Sequence, residues 1–300
     1  MKKKILEISK NLNSKFFFDY EIYKYTWFRT GGIADCFCLV NDENELVKIL
    51  NQIDNIPYFI IGAGSNLLVR DGGFKGLIIK LGKNFNKIEY TNNNLTVGAS
   101  ILDINLSKFA LSNSIKNFEF FSGIPGSIGG AIKMNAGCFN SETKDFLRNI
   151  TVINNLGQKK MVNSSELQFS YRESNLEKTD IVISAEFEVQ KGEKEEIQEK
   201  LNKIKYTREN TQPIKFKTSG STFKNPKDYY AAKLIEESGC KGLKNGGAII
   251  SDIHSNFIIN FDNATATDIE NLGKIIIEKV YKKFEITLDW EIKIIGDLVN

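Results

Sequence analysis

The sequence predicts an α+β protein of more than one domain. Short apolar runs such as "DCFCLV" and "DIVISAEFEV" alternate with helical stretches, and no internal repeat is present. Glycine-rich turns punctuate the first half at 30–32, 62–64 and 123–137. From about residue 192 the charged stretch "GEKEEIQEKLNKIKYTREN" predicts a helix that links two regions of different character. A chain of 300 residues suits two domains, or three small ones, with ample buried cores.

The elements follow in order. Residues 35–81 read as strand, helix, strand, tight loop, strand, strand. The helix "NDENELVKILNQID" has Asn41 or Asp42 as N-cap, with Leu46, Val47, Ile49, Leu50 and Ile53 apolar. Residues 86–190 read as a hairpin ("KIEY…NLTVGAS"), a helix ("ILDINLSKFALSNS"), the long glycine segment, a hairpin turning at 155–157 and a strand. Beyond the linker come a loop with Pro213 and Pro226, a helix near 229–238, and strands "GAIIS" and "NFIIN". The helix "TATDIENLGKIIIEKVYKKF" carries Ile269, Leu272, Ile276 and Val280 on one face, with Thr267 and Glu270 as a capping box. Strands "ITL" and "EIKIIG" close the chain.

Composition excludes several classes. A net charge of +3 with scattered lysines gives no nucleic-acid footprint. The opening "MKKKILEISKNLN" starts like a signal peptide, but no apolar run of the required length follows. No stretch is apolar enough to span a membrane, so the expected location is cytoplasmic. Cys36, Cys38, Cys138 and Cys240 form no CxxC pair, and His254 is the only histidine. That argues for reduced thiols, against zinc and against a Ser-His-Asp triad.

Two glycine loops carry the functional signal. In "IIGAGSNLLV", Gly62 and Gly64 fit G-x-G, but Leu67 stands at the third glycine position and a strand follows, so a Rossmann fold is rejected. Such a loop is either a plain turn or an anion-binding nest, to which Ser65 and Asn66 add hydrogen-bonding side chains. In "SGIPGSIGGAIKMNAG", Pro125 suits the first position of a helix, which would place Gly126, Gly129 and Gly130 on one face. Each helical glycine costs about 0.5–1 kcal/mol relative to alanine. Either close packing on another backbone or a phosphorylated ligand near the helix N-terminus at 123–127 must offset that. With "TGG" at 30–32 as a third loop, one large ligand carrying a diphosphate is expected.

"TWFRTGG", "IGAGSNLLV", "GIPGSIGGAIKMNAG" and "YRES" occur in an order and spacing that resembles the flavin-binding half of the UDP-N-acetylenolpyruvoylglucosamine reductase family. "SGSTFKNP", "AIISDIHSNFIIN", "ATATDIENL" and "LDWEIKIIG" are similar to its C-terminal substrate domain. The resemblance runs from about residue 20 to 296. It implies a vanillyl-alcohol-oxidase/PCMH-type FAD-binding fold of two subdomains, about 1–82 and 83–200, followed by a substrate-binding domain at 201–300. It further implies NADPH as hydride donor and UDP-N-acetylglucosamine enolpyruvate as substrate, in peptidoglycan precursor synthesis. The expected state is a monomer or weak oligomer. FAD is expected to be noncovalent, because residues 1–200 hold no histidine.

The resemblance assigns FAD contacts to Thr30, Gly31, Gly62, Ala63, Gly64, Ser65, Asn66 and Leu67. It extends them to Gly123, Ile124, Pro125, Gly126, Ser127, Gly129, Gly130, Asn135, Ala136 and Gly137. Arg172 in "FSYRES" matches the catalytic arginine, whose planar fork suits a carboxylate becoming an enolate. Glu291 matches the carboxyl acting with it, and burial would raise its pKa. Ser221 matches the proton donor to carbon, while Tyr171, Lys224 and Asn225 are expected substrate contacts, and His254 and Asn256 are expected to be structural. Trp290 stands where the family usually has proline, and Asn140 where it usually has glycine. The short interval between Arg172 and Ser221 matches the class without an inserted tyrosine loop. Two alternatives use the same flavin fold: an oxidase of an alcohol or sugar, and a flavin protein without catalysis.

Overall fold

Alternating apolar residues at 147–153 and 181–188 build the largest sheet of the computed structural model, which describes residues 1–91 and 94–299. Its strand order is Lys159–Asn163, Leu147–Ile153, Ile181–Glu188, Asn94–Gly98, Ile88–Thr91, antiparallel throughout. The predicted turn at 155–157 joins the first two strands, with Gly157 at φ 69° and its N–H donated to the Asn154 carbonyl. The tip of the 88–98 hairpin lies outside the described residues. A smaller sheet runs in the order Lys15–Glu21, Ile33–Val40, Phe74–Leu81, Tyr58–Ile60, with Tyr58–Ile60 parallel to Leu77–Ile79.

The chain divides into two compact units. The first comprises 1–18, 36–63 and 76–207; the second comprises 19–35, 64–75 and 208–300. The first unit's core contains Leu46, Ile49, Leu50, Leu106, Phe118, Phe121, Ile150 and Phe187. Its helix Glu43–Leu50 starts at Asp42, whose carboxylate accepts the Glu45 N–H. Glu45 is buried, yet it accepts from the Ser14 hydroxyl and from the N–H groups of Asn13 and Ser14. Burial alone would raise its pKa; those donors outweigh burial and hold it below the ordinary carboxylate value.

The second unit packs helix Ala266–Phe284 over Lys244–Asn245, Ala248–Ile250 and Ile258–Asn260, an antiparallel three-stranded sheet. Ile269, Leu272, Ile276 and Val280 are all buried on it, as their spacing predicts. The cap differs from expectation. Thr265 is the N-cap, and it exchanges hydrogen bonds with Asp268 as the capping box. Thr267 instead donates its N–H and hydroxyl to Asp71, and Glu270 pairs with Arg70 and Lys274. Asp71 captures the amides of the first turn, so the cap falls two residues earlier than the sequence suggests. No strand forms at 286–288; Trp290 makes an isolated bridge with Phe223, and regular strand is confined to Lys293–Ile295, parallel to Leu67–Val69.

Candidate functional site

The glycine segment of the first unit is shorter in helix than its sequence implies. Helix Ile128–Lys133 begins after Ser127, so Pro125 and Gly126 lie in the preceding turn. The reason is pairing: Leu102 bridges Ser127, Asp103 N–H donates to the Gly126 carbonyl, and Ile128 N–H to that of Ile101. The Gly129 N–H is likewise donated to the Ala99 carbonyl. The Ile128 and Gly129 amides are thus engaged by the neighbouring segment at 99–101.

The three glycines therefore do different things. A Cβ at Gly129 would stand 3.1 Å from Ala99 Cβ and 3.3 Å from its carbonyl, which is tight helix-on-strand packing. One at Gly126 would collide with the Asp103 carboxylate. One at Gly130, which is exposed, would meet only Ser127 Oγ at 3.7 Å. Gly62 reaches this same place: a Cβ there would lie 2.5 Å from Ser127 Oγ. The two loops singled out in the sequence thus converge on Ser127, with open space at Gly130. Gly123, at the other end of the turn, lies against Cys138, whose Sγ would be 2.6 Å from a Cβ.

Arg172 is delivered to the end of this segment. Tyr171 and Arg172 form the turn between Phe169–Ser170 and Glu173–Ser174, with Arg172 at φ 59°. Three bonds tie the hairpin to residues 133–137. Arg172 Nη2 donates to the Gly137 carbonyl at 2.7 Å, Asn135 Nδ2 to the Ser170 carbonyl at 3.0 Å, and Ser174 Oγ to the Lys133 carbonyl at 2.8 Å. The guanidinium carbon sits 4.8 Å from the Tyr171 ring centre. A left-handed backbone at arginine costs free energy, and this lattice of bonds maintains it. The Asn135 side chain also serves Glu142 and the Lys144 N–H, and Gly137 packs on the Ser141–Glu142 strand, so both are used internally; Ala136 accepts from Thr143.

In the second unit, Thr30 and Gly31 lie against a different backbone. Thr30 accepts from the Thr26 hydroxyl, and a Cβ at Gly31 would stand 2.6 Å from the Val69 carbonyl. Gly64, at φ 67°, is pressed on Tyr25 and accepts from Trp27 N–H. Ser65 and Asn66 form the turn into the strand that Leu67 begins. Asn66 Nδ2 donates to the Glu291 carbonyl at 3.0 Å, while Lys293 N–H donates to the Asn66 carbonyl.

Ser221 and Glu291 flank the isolated bridge between Phe223 and Trp290 in this unit. Glu291 N–H donates to the Thr222 carbonyl at 2.9 Å, and Lys224 N–H to that of Asp289 at 2.8 Å. Both Ser221 and Glu291 are half-buried. The Asn225 side chain accepts the Ala231 N–H and so starts helix Ala231–Glu237; Lys224 is half-buried beside it.

A family model for the C-terminal domain of UDP-N-acetylenolpyruvoylglucosamine reductase matches residues 212–295, and an FAD-binding domain model matches 34–161. The reductase of Rickettsia typhi is 45% identical over 282 residues, 94% of this chain and 96% of that protein. That of Rickettsia prowazekii is 44% identical over the same shares. The crystal structure of the Thermus caldophilus reductase superposes with a TM-score of 0.82 at 33% identity, over 94% of this chain and 99% of that one.

The chain belongs to the UDP-N-acetylenolpyruvoylglucosamine reductase family. It is an FAD-dependent, NADPH-consuming oxidoreductase with the fold of that crystal structure. The residues present fit the dinucleotide. Backbone of two loops meets at Gly62 and Ser127, and open space remains beside the exposed Gly130.

The family comparison also explains two departures. Asn140 adopts φ 62°, a conformation asparagine tolerates better than most residues, so glycine is dispensable there. Trp290 stacks 4.9 Å from Phe223 and lies over Gly273, where a Cβ would collide with its ring. The missing side chain on the helix makes room for the indole.

Two residues escaped the sequence reading. Lys80 Nζ donates to the Gly62 carbonyl at 2.6 Å, and burial lowers its pKa. A lone lysine inside the apolar run "LIIKL" was the available signal. Asp103 is fully buried behind Gly126, and burial raises its pKa strongly. Its position among polar helix residues carries no such signal. Asn256, expected to be structural, holds the Phe223 backbone that follows Ser221.

Proposed function

We propose that the chain reduces the enolpyruvyl ether of UDP-N-acetylglucosamine to the lactyl ether, UDP-N-acetylmuramate, with Arg172, Glu291 and Ser221 as its catalytic groups. The reading places the reaction in the cytoplasm, in a monomer or weak oligomer. Residues 1–200 hold the cofactor and 201–300 the substrate. Bound FAD supplies the chemistry of accepting hydride from NADPH and passing it to the substrate's terminal alkene carbon.

The substrate then carries negative charge on its carboxylate side, as an enolate. Arg172 faces that charge with a planar, permanently charged fork. Glu291 is the carboxyl assigned to act with the arginine, and Ser221 passes a proton to the carbon next to the carboxylate. Tyr171, Lys224 and Asn225 contact the substrate, Lys224 through its diphosphate. The observation that carries the reading is the backbone bond that joins the segments next to Ser221 and Glu291, Glu291 N–H to the Thr222 carbonyl at 2.9 Å, at the isolated bridge Phe223–Trp290.

The test is NADPH oxidation with and without the enolpyruvyl sugar nucleotide. Turnover that depends on this nucleotide supports the assignment. Oxidation that proceeds equally without it, or with an alcohol or sugar alone, would sink it.

A further inference from the structure

The backbone after Ser221 is held from two sides. On one side, the Thr222 carbonyl accepts the Glu291 N–H, and the contact with the Glu291 strand is the isolated bridge Phe223–Trp290. An isolated bridge is weak restraint for two groups that must act on one substrate.

The other side is held by the buried Asn256 side chain, together with the Thr222 hydroxyl, which accepts the Ile258 N–H at 3.2 Å. Asn256 Oδ1 accepts the Phe223 N–H at 3.0 Å, and Asn256 Nδ2 donates to the Phe223 carbonyl at 2.8 Å. The Asn256 main-chain carbonyl accepts the Thr222 N–H at 2.8 Å. Both ends of the amide are engaged, so reversing it would set donor against donor and acceptor against acceptor. Asn256 is 4% exposed, where unmade bonds are costly. Its own N–H donates to His254 Nδ1 at 3.3 Å. The histidine is fixed in turn, with its N–H on Ser251 Oγ and its ring 4.7 Å from that of Phe257. Burial keeps its pKa below the ordinary value, which leaves Nδ1 able to accept.

We infer that Asn256 is a positioning residue for substrate reduction: it clamps Thr222–Phe223 so that Ser221 stays in register with Glu291, and His254 orients the clamp. The inference rests on the proposed roles of Ser221 and Glu291. It goes beyond them, because Asn256 touches only backbone and its effect is confined to one half of the reaction. Reduction of flavin by NADPH does not use the Ser221 hydroxyl. Protonation of the substrate carbon does, and displacement of a catalytic group by about 1 Å costs on the order of 10²-fold.

The experiment is stopped-flow absorbance of the flavin in full-length holoenzyme. Asn256→Ala, His254→Ala, Ser221→Ala and the destabilised core control Ile276→Val are compared with the parent. Asn256→Ala is expected to take up FAD and be reduced by NADPH as the parent does. Its reoxidation by the enolpyruvyl sugar nucleotide is expected to slow by about 10- to 10²-fold. His254→Ala should change the same step by a smaller factor, and it carries the test if Asn256→Ala does not fold. Ile276→Val should leave reoxidation unchanged. Parent-like reoxidation in both clamp variants overturns the inference, as does equal slowing of both half-reactions. If Ser221→Ala alone reoxidises normally, the fault lies with the catalytic assignment, and the clamp has nothing to position.

Discussion

The glycine segment 123–137 and the bridged segments around Ser221 and Glu291 are both built for close approach, but from different materials. The first uses absence of side chains: Gly126, Gly129 and Gly62 lie against Asp103, Ala99 and Ser127, where any Cβ would be crowded. The second uses a specific side chain, Asn256, whose amide holds both polar groups of the Phe223 backbone beside an isolated bridge. Contact by omission is written in the residue types themselves. Contact by a distant amide is not, since Asn256 lies 33 positions from its partner and could equally serve a turn.

The comparison breaks first at Ser221. If the second region is catalytic and the first a cofactor cradle, Ser221→Ala should retain FAD and be reduced normally by NADPH. Reoxidation should fall by at least about 10²-fold, the usual worth of a general acid. Equal loss in both half-reactions, read by flavin absorbance, would show the serine acting through structure.

Crowding in each region comes next. Gly129→Val adds a branched side chain against Ala99, and overpacking of this kind costs about 1–3 kcal/mol. Gly273→Ala should cost a similar amount, about 1–3 kcal/mol, because the methyl meets the Trp290 ring. Chemical denaturation measures both. A fully stable Gly129→Val would mean the helix moves off the sheet at little expense.

Gly130→Ala sharpens the first region further. Its Cβ has open space, so removing a helical glycine should stabilise the apoprotein by about 0.5–1 kcal/mol. FAD retention should fall nonetheless if the dinucleotide lies on this face. Stability and flavin affinity moving in opposite directions is the expected signature; a rise in both would place the ligand elsewhere.

The smallest effect contrasts two buried glutamates, one in each unit. Glu45 opposes burial with neutral donors from Ser14 and Asn13, whereas Glu270 is held down first by Arg70 and then by Lys274. Both pKa values lie below the ordinary 4.5, so the stability each contributes is present above that value. It is lost as pH falls through the folded-state pKa. Glu45→Gln and Glu270→Gln should each flatten the acid decline in melting temperature. Added salt should weaken the Glu270 contribution more, because Arg70 is partly exposed and ion pairs are screened. Identical salt responses would contradict the different origins.

Sequence by itself determined what neighbours along the chain decide. Apolar periodicity placed the helices at 43–50 and 266–284 and the strands of the large sheet, because a helix or strand must turn one face inward. Asp42 marked a helix start and Gly157 a turn, through bonds that span three or four residues. The glycine loops were legible as points of close packing because only glycine leaves out the Cβ, whereas Arg172 was marked only by the family resemblance of "FSYRES". Tertiary structure alone decided the rest. Asp71 moved the cap of the 266–284 helix, and pairing with 101–103 left Pro125 outside its helix. Segments 19–35 and 64–75 joined the residues after 208, and Asn256 found Phe223. These contacts link positions far apart in the chain. Their choice depends on which buried polar groups can satisfy one another after collapse, and no local pattern of residues encodes that.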